Sequence, residues 1–322
     1  MRLNRLSLAT LGVMAATAVC QAQQAYPAKP VRIMVGYAPG GSADVQTRLT
    51  ARFLEQRVKQ PVLVENRPGN GGTIAAVYVG QADPDGYTLL SSNGTLFSDI
   101  FLKENYVQAL KILTPVRQMV DNRLALVVSS KLPVTSFSEL LAYAKANPQK
   151  KFNFGASAPN ATFMMEMLKQ RTGIDYVNVT YKGAVAIVPA MMTGELDLNI
   201  DALSPYIGAA QSKSVRVLTV FQPKRASMFP DVPTSTEAGL KGMDDAVVAL
   251  TVWAPVATPK PIVDKLAGEL NAVAANTEFQ QQADKIPMPL ATPNTPEEVR
   301  RATEREYVFW KEAARAANYI PQ

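Results

Sequence analysis

At 322 residues, 47% apolar and 19% charged, the chain has the length and composition of a globular protein with two domains, each able to bury a core. It contains no histidine and a single cysteine, which excludes triads and dyads built on imidazole and the usual zinc sites, and leaves Asp, Glu, Lys and Tyr for any acid–base work. The net charge of +6 is scattered, with no basic run longer than pairs such as Lys150-Lys151 and Lys224-Arg225, so nucleic acid is not an expected partner.

The chain opens with Arg2 and Arg5 ahead of an apolar stretch over residues 6–19, followed by small residues. This is the pattern of a secretory signal peptide occupying residues 1–22, with cleavage after Ala18 or Ala22, so export is expected. Cleavage after Ala22 removes Cys20, so no disulfide is expected. It also lowers the 33 basic residues to 31 against 27 acidic ones, a net of +4.

Residues 31–35 (VRIMV) form an apolar, β-branched-rich run expected as a buried strand, and Val45, Leu49, Phe53, Leu54 and Val58 recur at helical spacing. Between them lies Ala38-Pro39-Gly40-Gly41-Ser42. Proline ends the strand, the glycines permit unusual backbone angles, and the helix that follows presents unsatisfied N–H groups at the positive end of its dipole. Such a turn suits an anion. It lacks the three-glycine dinucleotide spacing and the Lys-Ser/Thr ending of a P-loop, so a nucleotide phosphate is not the expected anion. Asp44, in the first helical turn, either orients the loop amides or simply favours the helix N-terminus.

A second strand is expected at 61–65. A second Gly-rich turn, Asn66 to Thr73 in order, enters a helix whose apolar side carries Ile74, Val77 and Tyr78. After the turn Asp83-Pro84-Asp85-Gly86, a third strand at 87–90 leads into the loop Ser91-Ser92-Asn93-Gly94-Thr95. A new series begins with a strand at 124–128. Ser136 and Glu139 are placed as a capping box, Phe152 to Phe154 form a strand, and a small-residue loop containing Ala156, Ser157 and Thr162 precedes a Met-rich helix read as core. A strand at 176–180 meets Tyr181-Lys182-Gly183. Another at 196–200 ends at Asp201-Ala202, where Asp201 either accepts from a ligand hydroxyl or ammonium or caps the next helix. An apolar strand at 247–253 returns the chain, and Thr295 with Glu298 marks a last capping box before a terminal helix carrying Val299, Tyr307 and Trp310.

Strands alternating with helices imply an α/β fold with mostly parallel sheets, whose carboxyl edges hold ligands. A crossing near Leu124 and a return near Val247 imply two lobes joined by two strands: residues 23–123 and 247–322 in the first, the inserted residues 124–246 in the second. A cleft between lobes so joined suits closure on a small ligand.

The segments YPAKPVRIMVGYAPGGSADVQTR, VENRPGNGGTIAA, PDGYTLL, YKGAVAIVPAMMTGELDL, FPDVPTSTEAGL and WAPVATPKPIVDKL occur in the order and approximate spacing of one family. With them the chain resembles the Bug/TctC periplasmic receptors of tripartite tricarboxylate transporters. The resemblance implies a two-lobed type II periplasmic binding protein, a monomer without cofactor or metal. It would capture a small carboxylate (an organic acid, aromatic acid or amino acid) for the membrane permease subunits, without catalysis. It further implies that the loop containing Tyr37, Ala38, Gly40, Gly41 and Asp44 holds the carboxylate through backbone N–H groups. Ser92, Asn93 and Thr95 would complete that wall. Ala156, Ser157, Thr162, Tyr181, Lys182, Asp201 and Ala202 would close from the second lobe. The chain departs from the family pattern at Asn178, Thr180, Ser98-Asp99, Pro159-Asn160-Ala161 and Ile286-Pro287-Met288-Pro289, several of them bordering the expected site. Two other readings stand beside transport: a receptor informing a signalling protein, and an exported α/β enzyme, for which no nucleophile elbow or metal-ligand cluster is present.

Overall fold

The computed structural model describes residues 26–318 except 70–71, 94–110, 158, 182–183, 227, 287 and 293, so the leader, Thr95, Ser98-Asp99 and Lys182 lie outside the described residues. The first apolar run is β1 (Val31–Val35). Val31, Ile33 and Val35 face one core and Met34 the other, the alternation required of a strand covered on both faces. The turn leads into α1 (Ser42–Val58), which packs Phe53 and Leu54 on the Val31 side and ends at Lys59 in the left-handed region, φ 56°. Next come β2 (Val62–Asn66), α2 (Thr73–Gly80) and β3 (Thr88–Asn93), with β1 parallel to both β2 and β3.

Two details of this unit differ from the sequence reading. The buried side of α2 is Ala75, Ala76 and Val79, set against Met34, Leu90 and Trp253, while Ile74 is 52% and Val77 41% exposed. Alanines let the short helix lie close on the sheet, an approach that branched side chains would block. Also, β3 continues through Ser91, Ser92 and Asn93, where a loop was expected, because Ser91 pairs with Val35 and Ser92 with Thr251. The buried hydroxyls are satisfied within the lobe: Ser91 meets Thr47 Oγ1 at 2.7 Å, and Ser92 meets the Tyr37 hydroxyl at 3.4 Å.

The connection between lobes is one long strand, β4 (Leu113–Ser129, 17 residues), which begins well before the expected strand at 124–128. Its register against β9 (Val247–Pro255) shifts between Pro115 and Arg117 and again between Gln118 and Val120. These bulges explain how Pro115 sits inside a strand and why Val116, Arg117, Met119 and Val120 are all buried. Arg123 still pairs with Val247 of β9, whereas Leu124 pairs with Ala202 and Ala125 with Val220.

The second lobe runs α3 (Phe137–Ala146), β5 (Phe152–Ala156), α4 (Pro159–Thr172), β6 (Tyr176–Thr180), α5 (Ala184–Thr193), β7 (Leu198–Ala202), a 3-10 turn (Ser204–Tyr206), α6 (Ile207–Gln211) and β8 (Val215–Val220). The strand order is β2-β1-β3-β9-β4-β7-β5-β6, with β8 also on β4; every antiparallel pairing involves β4 or β9. Met164, Met165 and Leu168 of α4 fill the core with Phe152 and Phe154, as expected of that helix.

After β9 come α7 (Lys260–Ala274), α8 (Thr277–Lys285) and α9 (Pro296–Ala316). The reciprocal capping box of Thr295 and Glu298 opens α9. That helix straddles the lobes. At its start the Arg300 guanidinium donates to Thr114 Oγ1 on β4 at 3.0 Å; near its end Phe309 and Trp310 enter the second-lobe core with α4. Among the described residues, no helix is long and apolar enough to cross a membrane.

Candidate functional site

The pairing along β4 brings the two expected walls to one level. Asn93, the last residue of β3, pairs with Leu250, three residues along β9 from the Arg123–Val247 pair; Ala202, the last residue of β7, pairs with Leu124. The carboxyl ends of the two lobes' strands therefore meet at the point where β4 leaves one sheet for the other.

On the first lobe, residues 38–42 are exposed, and Tyr37 is half-buried. Gly40 adopts φ +79°, a left-handed angle open to glycine, and Gly41 is the extended N-cap of α1 with no side-chain cap. The Gly40 N–H donates to Asp44 Oδ2 at 2.9 Å and the Gly41 N–H to Ala38 O at 3.4 Å. The glycine amides are thus internally engaged, and the first intrahelical acceptor, Gly41 O, serves Val45. The donors left at the mouth are the first-turn N–H groups of Ser42, Ala43 and Asp44, which have no carbonyl four residues back in the helix.

Asp44 is 3% exposed and acts within the loop. Its carboxylate accepts from Gly40, from Arg48 Nε at 3.1 Å and from Asn66 Nδ2 at 2.8 Å; Asn66 Nδ2 also donates to Tyr37 O, and its Oδ1 accepts from Arg48 Nη2 at 2.8 Å. Burial pushes this carboxyl up, but the Arg48 guanidinium, the Gly40 N–H and the Asn66 amide outweigh it, and it is held below the usual range. The second Gly-rich turn braces the first from behind: a Cβ on Gly36 would lie 2.7 Å from Gly72 Cα, so the two backbones touch. Arg48, Asn66, Gly36 and Gly72 were missed as site residues. The Asn and Gly that follow an apolar run were visible, but their partners were not.

On the second lobe, Ala156 ends β5, is buried, and accepts the Tyr181 N–H at 2.8 Å. Ser157 Oγ donates to Asp201 Oδ2 at 3.2 Å, and the Ala202 N–H donates to Asp201 Oδ1 at 2.7 Å. Burial raises the Asp201 carboxyl, with the Ala202 N–H and Ser157 hydroxyl opposing it. Thr162, in the first turn of α4, accepts from Asn178 Nδ2 at 3.5 Å. The Tyr181 hydroxyl is donated to Glu195 Oε1 at 2.8 Å. Ser157, Asp201 and Ala202 are therefore brought together, as Tyr37, Gly40, Asp44 and Ser92 are on the first lobe. Among the described residues, no group of three or more His, Cys, Asp or Glu could hold a metal ion.

Residues 46–306 match the family described as "Tripartite tricarboxylate transporter family receptor". The chain is 33% identical to Protein BugT of Bordetella pertussis over 278 residues, covering 84% of this chain and 83% of that protein. Among solved structures, it is similar to the periplasmic binding protein BugD (28% identity, TM-score 0.75, covering 92% of this chain and all of that one). It is also similar to two Rhodopseudomonas palustris proteins, Rpa4515 with adipate (28%, TM-score 0.74, covering 91% and 98%) and MatC with bound malate (25%, TM-score 0.73, covering 89% and 99%). The family is one of solute-binding receptors and not of enzymes. With its two α/β lobes meeting along β4 and a match that spans most of its length, the chain belongs to the tripartite tricarboxylate transporter receptor (TctC/Bug) family.

Proposed function

We propose that this protein is a periplasmic receptor, exported by its N-terminal signal peptide, that captures a small carboxylate between its lobes and hands it to the membrane subunits of a tripartite tricarboxylate-type transporter. The observation that carries the reading is the open mouth of α1. Three first-turn N–H groups lack intrahelical acceptors there, on a loop held rigid by Asp44, Asn66 and Arg48. A carboxylate at that mouth gains charge-assisted hydrogen bonds and the favourable end of a helix dipole. The adipate and malate bound by similar proteins support the ligand class.

A thermal-shift panel of mono-, di- and tricarboxylates, aromatic acids and amino acids, with mass spectrometry of copurifying compounds, tests it. A ligand at about 100 times its Kd stabilises by about 2.7 kcal/mol, readily seen as a rise in Tm. The reading fails if no acid shifts the Tm, or if Gly40→Val responds as fully as wild type.

A further inference from the structure

Resting on that reading, we propose that the second-lobe wall selects a carboxylate that also carries a hydrogen-bond donor, an ammonium or hydroxyl group, which docks on Asp201 and Ser157. Acids with the same skeleton but no such donor are disfavoured.

The hydrogen-bond directions around β7 lead to this. Asp201 sits at the carboxyl end of β7, beside the partner change in β4, and is partly accessible. It accepts from Ser157 Oγ and from the Ala202 N–H, and none of the ion pairs in the described structure involves it. Ser157 has one proton and spends it on Asp201, so toward a ligand its oxygen can only accept. The neighbouring donors are spent as well: the Tyr181 N–H on Ala156 O, the Tyr206 hydroxyl on Asn199 Oδ1, and the Asn199 amide on Gly155 O.

The patch therefore offers lone pairs and a carboxylate that no ion pair among the described residues balances. The mouth of α1 across the junction offers donors. A second anionic group could use first-turn amides of α4, but the Asp201 end would repel it. A ligand ammonium supplies the missing charge, and a hydroxyl supplies the missing donor. Burial raises the Asp201 carboxyl, and a ligand ammonium set against it offsets part of that desolvation.

Titration calorimetry with matched acids tests this: succinate against malate and aspartate, propionate against lactate and alanine, on wild type and Asp201→Asn. Circular dichroism and the unliganded Tm confirm that the variant folds. In wild type the donor-bearing member of at least one series binds at least tenfold tighter than the plain acid. Asp201→Asn lowers the ratio of ammonium-ligand to plain-acid affinity by about tenfold. Plain acids binding as tightly as their substituted partners, or selectivity unchanged in Asp201→Asn, overturns the inference and leaves the carboxylate receptor standing. Binding by no acid of either kind overturns both.

Discussion

Asp44 Oδ2 accepts the Gly40 N–H at 2.9 Å, so the Pro39-Gly40-Gly41 loop is tied to the helix it opens by the side chain of that helix's first turn. The same carboxylate holds Arg48 and Asn66. Removing it in Asp44→Ala leaves three donors without their acceptor, at a cost of about 2–3 kcal/mol of stability, and weakens the captured carboxylate by about tenfold or more through a looser mouth. Asp44→Asn, which can still accept from Gly40, costs less. Because the folded carboxyl is held below its ordinary value of 3.8, this contribution is present above that pH and is lost as the pH falls through the lower folded value. Calorimetric unfolding of both variants at pH 7 and pH 3 checks it; a difference from wild type that does not shrink in acid counts against the argument.

Gly40 is held at φ +79° with nothing within 4 Å of a Cβ built there, so its requirement is conformational and not one of space. Gly40→Ala should lower stability by about 1–2 kcal/mol, and Gly40→Val by more, since a β-branched residue resists the left-handed region. Gly41, at φ −71°, tolerates alanine with little loss of stability. Equal melting temperatures for Gly40→Val and Gly41→Ala would show that the loop does not need this angle.

Gly36 is limited by space instead. Its Cβ would meet Gly72 Cα at 2.7 Å, backbone against backbone, so neither side has a flexible chain end to move. Gly36→Ala is expected to separate the two Gly-rich turns, destabilise the first lobe by about 1–3 kcal/mol, and reduce carboxylate binding even though it touches no ligand. Denaturant unfolding together with calorimetry measures both effects.

Glu306 of α9 is 4% exposed, and its Oε1 has no hydrogen-bond partner. Burial pushes its carboxyl up to about 8, with Trp310 and Arg123 pulling it down and Asp121 adding to the rise. A raised carboxyl contributes its full stability below the unfolded value of 4.5 and loses it as the pH climbs through about 8. Relative to Glu306→Gln, wild type should lose stability steadily between pH 5 and pH 8. In a chain of this size each kcal/mol appears as about 1–2 °C in Tm. Parallel curves of Tm against pH for the two proteins would refute it.

Both lobes are joined through β4, β9 and the straddling helix α9, and the carboxyl ends of their strands meet at the Arg123–Leu124 step. Ligand capture should therefore draw the lobes together. Small-angle scattering with a saturating carboxylate from the panel is expected to give a smaller radius of gyration than the unliganded protein, and an unchanged radius would exclude hinge closure.

What the amino-acid order alone determined is everything that depends on near neighbours. An apolar run, Pro39-Gly40-Gly41 and a period near 3.6 define β1, its turn and α1; Thr295 and Glu298 three residues apart define the start of α9; and the succession of such units defines a two-lobed α/β receptor of a known family. The tertiary structure decided what depends on distant partners. Two bulges bury Val116 and Arg117 side by side and hide β4 from any alternating pattern. Asp44 finds Asn66, 22 residues on, as well as the Gly40 amide and Arg48. Gly36 meets Gly72 only once β1 and α2 are packed, and Glu306 on a polar-looking helix turns out to be buried. Local conformational preference acts over a few residues. Which amide, hydroxyl or carboxylate is left for a ligand depends on every other group the folded chain has brought within about 3 Å of it.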